Sequence, residues 1–186
     1  MIRLSLILGV VFIPMLLEAR RSRRNEAWLR RRGAVEPPDD VFGVMQLAYP
    51  LCFLLMAGEG AIRGGAPPAG TMWGGALFVA GKGLKYWAIA TLGRRWTFRV
   101  LVIPGAPRIL AGPYRWLRHP NYAGVVGELA GVGLLANAPI AGLLSILGFG
   151  ALMLARVRVE EAALDARGHL PVPAPAASDR RSPHAG

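Results

Sequence analysis

The sequence is poor in the residues that form disulfides and metal sites. It has one cysteine, Cys52, and three histidines, His119, His169 and His184. A single cysteine can form neither an intrachain disulfide nor a thiolate metal site. The histidines are too scattered to give the spacing of metal ligands on one helix. We therefore predict that the chain binds no metal, and that Cys52 is a packed residue within an apolar helix.

The chain also lacks the surface that a soluble basic protein needs. Its net charge is +11, but the arginines fall in blocks between apolar stretches. Hydrophobic residues make up 53% of the chain and the mean hydropathy is +0.38, which is high for a soluble domain. A nucleic-acid-binding protein would need its charge on a folded soluble surface. We therefore expect a lipid bilayer as the partner and no nucleic acid, and the oligomeric state stays open.

The apolar stretches predict an all-α membrane bundle of five transmembrane helices. No small-residue cleavage site follows the first stretch, which is therefore predicted to be retained. The basic segment that follows it is predicted to be a surface helix closed by Gly33. The predicted spans cover residues 2–17, 41–61, 71–92, 121–135 and 140–155.

Charge and proline placement predict the organisation around these spans. Residues 1–92 would hold the first three helices with a basic cytoplasmic loop at 18–40, and residues 93–167 would form the core that carries the chemistry. Residues 168–186 have no apolar periodicity and are predicted to be disordered. Because basic loops stay in the cytoplasm, we expect the N-terminus outside and the C-terminus inside, in a bacterial inner membrane.

Two features inside the spans predict helix contacts. Lys82 and Lys85 are three residues apart and share a helical face. They could extend to the nearby interface, or they could line a polar cavity. Gly124, Gly127 and Gly131 give the fourth span a face on which another helix could approach closely. Glu128, in the same span, is interpreted as paired inside the bundle rather than catalytic.

Two polar segments carry the candidate chemistry. In residues 112–124 (GPYRWLRHPNYAG), Pro120 suits the first turn of a helix. His119 then lies near the N-cap, where free amides attract an anion such as a carboxylate-bearing ligand. In residues 156–164 (RVRVEEAAL), Arg156 and Glu160 share one helical face. Such pairs could merely close a helix end, but the predicted topology places both segments at the same membrane face.

Taken together, these motifs resemble the shared core of isoprenylcysteine carboxyl methyltransferases and phospholipid N-methyltransferases, over about residues 90–165. The resemblance implies a methyltransferase that uses S-adenosylmethionine and a lipophilic acceptor. It also implies that Arg156 and Glu160, with His119, carry the catalysis, Arg156 facing the acceptor. The residues that it implies around the cofactor are Arg108, Ile109, Tyr114, His119, Pro120, Asn121, Tyr122 and Glu160.

A narrower likeness concerns the acceptor. Residues 18–29, 33–36 and 85–96 resemble bacterial family members associated with type III polyketide synthases, which are thought to O-methylate alkylresorcinols or alkylpyrones. The chain departs from that pattern in two places: Lys85 replaces a more usual arginine, and residues 167–171 replace a tyrosine-containing stretch. The expected acceptor is therefore a carboxylate or a phenol or enol. A phenol would need a base, for which His119 or Glu160 is available.

Two other functions remain open from the sequence. Sterol-reductase-like membrane enzymes, which use NADPH, share a similar Arg-His-Pro-Asn-Tyr element but continue with x-Gly-Glu. Here Ala123 and Gly124 are followed by Val125. A non-catalytic membrane scaffold or transporter would leave the clustered His119 and Arg156 without a role. The missing glutamate and the Arg-x-x-x-Glu-Glu spacing favour the methyltransferase.

Overall fold

The structure, a computed structural model, describes residues 2–38 and 40–168 and is built of five helices. Short 3-10 turns lie at Gly93–Arg95 and Gly112–Arg115, and the described part contains no strand, only an isolated bridge between Val35 and Val102. The prediction of an all-α bundle of about five helices is confirmed. The helices are α1 (Ile2–Arg30), α2 (Phe42–Arg63), α3 (Pro68–Leu92), α4 (Pro120–Ala136) and α5 (Pro139–Gly168).

Three helices, α1, α2 and α5, are long and apolar enough to cross a membrane. Helix α4 is shorter, at 17 residues, and α3 carries Lys82 and Lys85. Helix α3 packs tightly on α4, and α4 packs against α1, α2 and α5, so both complete the same bundle. Many large apolar side chains on the helix surfaces are exposed, as expected for a lipid-facing surface. The chain is an integral membrane protein. The predicted disordered tail comprises residues 168–186. Gly168 is the last residue of α5, and residues 169–186 lie outside the described residues.

The first helix differs from the prediction. Residues 18–32 are predicted to form a separate surface helix, but residues 18–30 continue α1 without a break. Glu18, Ser22, Asn25 and Leu29 recur every three or four residues and are buried along one face. The arginines between them are exposed on the other faces. A buried polar stripe of this kind has no apolar periodicity. The sequence therefore gives no signal that α1 continues through residues 18–30.

One end of the bundle is held by two polar side chains, and we call it the Arg3 end. Arg3 donates to the Leu135 carbonyl at 2.7 Å, near the C-terminus of α4, and to Thr71 Oγ1 at 2.9 Å. Glu59 accepts from the backbone N–H of Ala141 at 2.6 Å, in the first turn of α5. The Arg3 end therefore contains the start of α1, the α2–α3 turn and the α4–α5 turn. The loop before α4 and the end of α5 lie at the opposite end.

Helices α3 and α4 approach each other through glycines on both sides. A Cβ on Gly81 would lie 2.7 Å from the Gly124 carbonyl oxygen, and one on Gly131 would lie 2.6 Å from the Phe78 nitrogen. Such distances leave no room for a side chain. The predicted glycine face of α4 is confirmed, and its partner is α3, which contributes Gly74 and Gly81. Close backbone approach of this kind is typical of helices packed in lipid.

The two lysines of α3 are paired inside the bundle. Lys85 lies 2.7 Å from Glu18 of α1, and Lys82 lies 2.7 Å from Glu128 of α4. Tyr49 of α2 donates to Glu128 at 2.8 Å. We call Glu18, Lys82, Lys85 and Glu128 the charge cluster. Two positive and two negative side chains balance there, which removes the need for either lysine to reach the interface. Glu128 is paired in the bundle, as predicted.

Candidate functional site

The loop between α3 and α4 is held against the end of α1. Asn25 donates to the Trp96 carbonyl at 2.6 Å and to the Gly93 carbonyl at 3.1 Å, while the Phe98 N–H donates to Ser22 Oγ at 2.8 Å. The bridge between Val35 and Val102 adds the α1–α2 loop to the same assembly. The buried polar stripe of α1 thus positions the loop that leads to the candidate site.

Glu36 provides an electrostatic connection between the same segments. Its carboxylate pairs with Arg99 of the α3–α4 loop and with Arg30 at the end of α1. Burial alone would raise the pKa of Glu36, but the hydrogen bonds and charges of the two arginines outweigh it and lower that pKa. Glu36 therefore stays ionised near neutral pH and holds the α1–α2 loop to the α3–α4 loop.

The first turn of α4 presents polar groups to a cavity. His119 is the N-cap and Pro120 the first helical residue, as predicted. The His119 ring stacks on Tyr122 with centroids 5.6 Å apart. The Asn121 side-chain oxygen is buried and has no hydrogen-bond partner within the described structure. A buried acceptor without a donor is costly unless a ligand or water satisfies it, so Asn121 indicates a ligand-facing position.

The end of α5 meets this turn. The Tyr122 hydroxyl donates to Glu160 at 3.4 Å, and His119 Nε2 lies 3.4 Å from Glu161. Arg118 is 3.7 Å from Glu161. The structure therefore brings the two polar segments together at one end of the bundle, the arrangement expected from the predicted topology.

Arg156 has a partner that sequence reasoning missed. Its Nη1 lies 3.2 Å from Asp40 Oδ1, and the two side chains are only 7% and 4% exposed. Asp40 also accepts from the backbone N–H groups of Phe42 at 3.1 Å and Val100 at 2.8 Å. An aspartate just before a helix is a recognisable cap signal, but nothing in the sequence connects it to a residue more than 100 positions away.

The ion pair considered as a closure of the helix end is not the one that forms. In the described part of the chain, Arg156 pairs with Asp40 rather than with Glu160, and Glu161 lies beside Arg118 and His119. The interpretation that these charges merely close a helix end does not describe the structure, because they connect α5 to two other segments.

A cavity of about 760 Å³ occupies this end of the bundle. Its volume falls within the range of small-molecule and cofactor sites. Its α5 side extends from Phe149 to Glu161, which corresponds to about 18 Å of helix. Pro120 does not line it but is buried behind, and the Arg108 side chain pairs with Asp165 at 2.7 Å. The other predicted site residues line the cavity: Arg108, Ile109, Tyr114, His119, Asn121, Tyr122, Arg156 and Glu160.

The cavity has a polar and an apolar part. The polar part is formed by the residues around Glu160 described above. Burial, and then the nearby charge of Glu160, raise the pKa of Tyr114, so its hydroxyl stays protonated at neutral pH. The apolar part is formed by side chains from α1, α2, α4 and α5, including Met15, Leu16, Met45, Val125 and Phe149. An amphiphilic ligand fits such a division.

The side chains in the polar part of the cavity also suit S-adenosylmethionine, the methyl donor implied by the resemblance. S-adenosylmethionine carries a cationic sulfonium and ammonium, a carboxylate, ribose hydroxyls and an adenine ring. Glu160 offers an anionic acceptor, Tyr114 and Tyr122 offer rings and hydroxyls, and the positive end of the α4 dipole lies beside them. The unpaired Asn121 oxygen would accept from an amino or hydroxyl group. The residues present therefore fit this molecule.

Comparison with known proteins identifies the family. The profile of the isoprenylcysteine carboxyl methyltransferase family matches residues 74–166, half of the chain. The chain belongs to this family. The uncharacterized protein YpbQ of Bacillus subtilis (strain 168) is 28% identical over 159 residues, covering 86% of this chain and 95% of its own length. No solved structure matches the chain significantly.

Membership in the isoprenylcysteine carboxyl methyltransferase family makes the chain a membrane methyltransferase. The matched region runs from within α3 to near the end of α5 and contains the glycine contact, His119 and Glu160. Helices α1 and α2 and the loop between them precede it. Asp40, the partner of Arg156, therefore lies outside the matched family region.

Proposed function

We propose that the chain is an S-adenosylmethionine-dependent methyltransferase that methylates an oxygen of a lipophilic acceptor. The observation that carries the proposal is the convergence of His119, Tyr122 and Glu160 on one cavity, at the junction between the start of α4 and the end of α5. This junction lies within the region that matches the family. The single cavity joins a polar pocket to an apolar one, as transfer from a water-soluble donor to a lipid requires.

In the proposed complex, the polar part of the cavity holds the donor, which supplies a methyl group on a sulfonium centre. Glu160 accepts hydrogen bonds from the ammonium or the hydroxyls, while Tyr114 and Tyr122 pack on the adenine or ribose. Arg108, Ile109 and Asn121 complete this binding site, and Pro120 supports it from behind. The positive end of the α4 dipole attracts the carboxylate. These side chains fix the orientation of the donor and exclude water, which is the main requirement of a displacement at carbon.

Arg156 and the apolar part of the cavity would hold the acceptor. The arginine places its guanidinium where an acceptor oxygen can lie, and Met15, Met45 and Phe149 surround a hydrocarbon chain. Leu16 lines the cavity and is also 62% exposed on the lipid-facing surface of α1. The acceptor can therefore enter from the bilayer.

The acceptor's chemistry decides whether a base is needed. A carboxylate is ionised at neutral pH and reacts directly. A phenol or enol must lose its proton, for which His119 or Glu160 is within the cavity. The likeness of residues 18–29, 33–36 and 85–96 to polyketide-associated members supports an alkylresorcinol or alkylpyrone, and the family name supports an isoprenylcysteine-like carboxylate.

The same proposal sets the orientation in the membrane. Arg20, Arg21, Arg23 and Arg24 are exposed on α1 at the end that holds the cavity. Basic residues stay in the cytoplasm, so the cavity opens there and the Arg3 end faces outward. The N-terminus is then outside, the C-terminus is cytoplasmic, and the membrane is the bacterial inner membrane.

Methyl transfer is tested with purified protein in detergent and S-adenosylmethionine labelled on its methyl group. The acceptors supplied separately are an alkylresorcinol, an alkylpyrone and a prenylated cysteine. Label extracted with one acceptor, and absent without protein, supports the proposal. Label in none of the three, with NADPH-dependent reduction of a sterol in its place, contradicts it.

A further inference from the structure

A buried charge from outside the matched family region holds the arginine of the site. Asp40 is fixed by three contacts, from the backbone N–H groups of Phe42 and Val100 and from Arg156. Two of these are backbone donors from separate elements, the start of α2 and the α3–α4 loop, so Asp40 keeps its place whatever Arg156 does. Arg156, in contrast, has a long side chain that can adopt many rotamers.

The alternative partner of Arg156 lies one turn away. Glu160 follows Arg156 by four residues on the same face of α5, which is the spacing of a helical ion pair. In the structure, Glu160 instead approaches the Tyr122 hydroxyl at 3.4 Å, and Arg156 is paired with Asp40. A direct pair between Arg156 and Glu160 would consume both charges and leave neither of them to bind a ligand.

We propose that Asp40 is a positioning residue that holds Arg156 away from Glu160, so that the arginine can bind the acceptor oxygen while the glutamate binds the methyl donor. The inference rests on the proposed function for the ligands' identities. It gives the α1–α2 loop a role in the site through Asp40, which lies outside the matched family region, residues 74–166. The charge of Asp40 also compensates a guanidinium that is only 7% exposed.

The test compares Asp40→Asn, Arg156→Met and the double variant. Asp40→Asn keeps the side-chain size and an oxygen for the Val100 N–H but removes the charge. Arg156 is then expected to turn to Glu160. Affinity for S-adenosylhomocysteine should fall by roughly tenfold or more. Adding Arg156→Met removes the competing arginine, so donor affinity should return towards the wild-type value while methylation stays lost.

Glu36→Gln is the matched control. Glu36 lies on the same loop and also connects it to the α3–α4 loop, but its partners are Arg30 and Arg99, and it does not line the cavity. It should leave donor affinity and acceptor KM close to wild type. An equal loss of affinity in Glu36→Gln and Asp40→Asn, or no recovery in the double variant, overturns the inference and leaves Asp40 a structural loop residue.

Thermal unfolding in detergent makes the test independent of activity. Asp40→Asn leaves Arg156 buried without its counter-ion and should lower the unfolding temperature, and Arg156→Met in the same chain should restore part of the loss. Wild-type protein that binds no S-adenosylhomocysteine contradicts the proposed function. In that case the unfolding temperatures still test the inference. A higher unfolding temperature in the double variant than in Asp40→Asn supports the positioning of Arg156 by Asp40, and additive losses from the two substitutions refute it.

Discussion

Lys85 Nζ lies 2.7 Å from Glu18 Oε2, and this contact joins α3 to α1 in the interior of the bundle. Both side chains are almost fully buried, at 3% and 4% exposure. Lys85 is also 3.4 Å from Glu128 of α4. One lysine thus connects three helices, and it lines the cavity as well. The charge cluster therefore belongs both to the stability of the bundle and to the floor of the proposed acceptor pocket.

Glu18→Gln should destabilise the protein, because it leaves the two lysines with only one carboxylate. The expected loss is about 3–5 kcal/mol, the usual cost of removing one partner from a buried pair. It is measured by thermal unfolding in detergent. Arg24→Gln, an exposed position on the same helix, is the control and should change little. Adding Lys85→Met to Glu18→Gln should recover part of the loss, and a Glu18→Gln protein as stable as wild type would refute the role of the cluster.

Gly74→Ala and Gly75→Ala test the contact between α3 and α4 at adjacent positions. A Cβ on Gly74 would lie 2.8 Å from backbone atoms of α4, whereas one on Gly75 meets nothing within 4 Å. Gly74→Ala should therefore cost about 1–3 kcal/mol or more through overpacking. Gly75→Ala should be neutral or slightly stabilising, because alanine favours helix. Equal stability of the two variants in thermal unfolding would contradict the predicted close approach.

Arg156→Ala should abolish methylation while the protein still inserts and folds. Asp40 then loses its ionic partner but keeps its two backbone donors, so the loops remain in place. Turnover of the labelled methyl group is measured beside size-exclusion behaviour in detergent. Arg158→Ala, an exposed arginine on the same helix, should keep its activity. Normal turnover by the Arg156→Ala protein would remove Arg156 from the catalytic set.

The orientation is tested with single cysteines placed at exposed positions at opposite ends of the bundle, Ala69→Cys and Ala111→Cys. The background is Cys52→Ser, since Cys52 is the single native cysteine and is buried. A membrane-impermeant thiol reagent applied to intact cells should label position 69 and spare position 111. The reverse pattern would place the cavity outside and contradict cytoplasmic access for the donor.

Much of the architecture could be predicted from the sequence because apolar length and glycine spacing are local signals. The second to fifth helices, the hairpin at Asn137, the N-cap at His119 and the glycine face of α4 all follow from residues close together in the chain. The continuation of α1 to Arg30 could not be predicted in this way, because Ser22 and Asn25 are buried by hydrogen bonds to a loop about 70 residues away. Burial without apolar character leaves no periodic signal.

The candidate site could likewise be predicted only where its residues lie in local sequence motifs. The residues around Glu160 could be assembled from motifs, because two polar segments flank one helical hairpin. Asp40 could not, because its contact with Arg156 spans 116 residues and depends on how the α1–α2 loop folds back. The charge cluster was predictable only in part. The sequence predicts that Glu128 is paired inside the bundle, but it leaves Lys82 and Lys85 either at the interface or in a polar cavity. Glu18 was interpreted as the end of a span.

The most direct measurement is calorimetry of S-adenosylhomocysteine binding to the folded, detergent-solubilised protein, beside a Glu160→Gln variant. The account predicts saturable binding at one site per chain, weakened roughly tenfold or more when the glutamate loses its charge. Thermal unfolding confirms that both proteins are folded. No heat of binding with either S-adenosylmethionine or its demethylated product, from protein that unfolds cooperatively, would contradict the claim that the start of α4 and the end of α5 enclose a methyl donor.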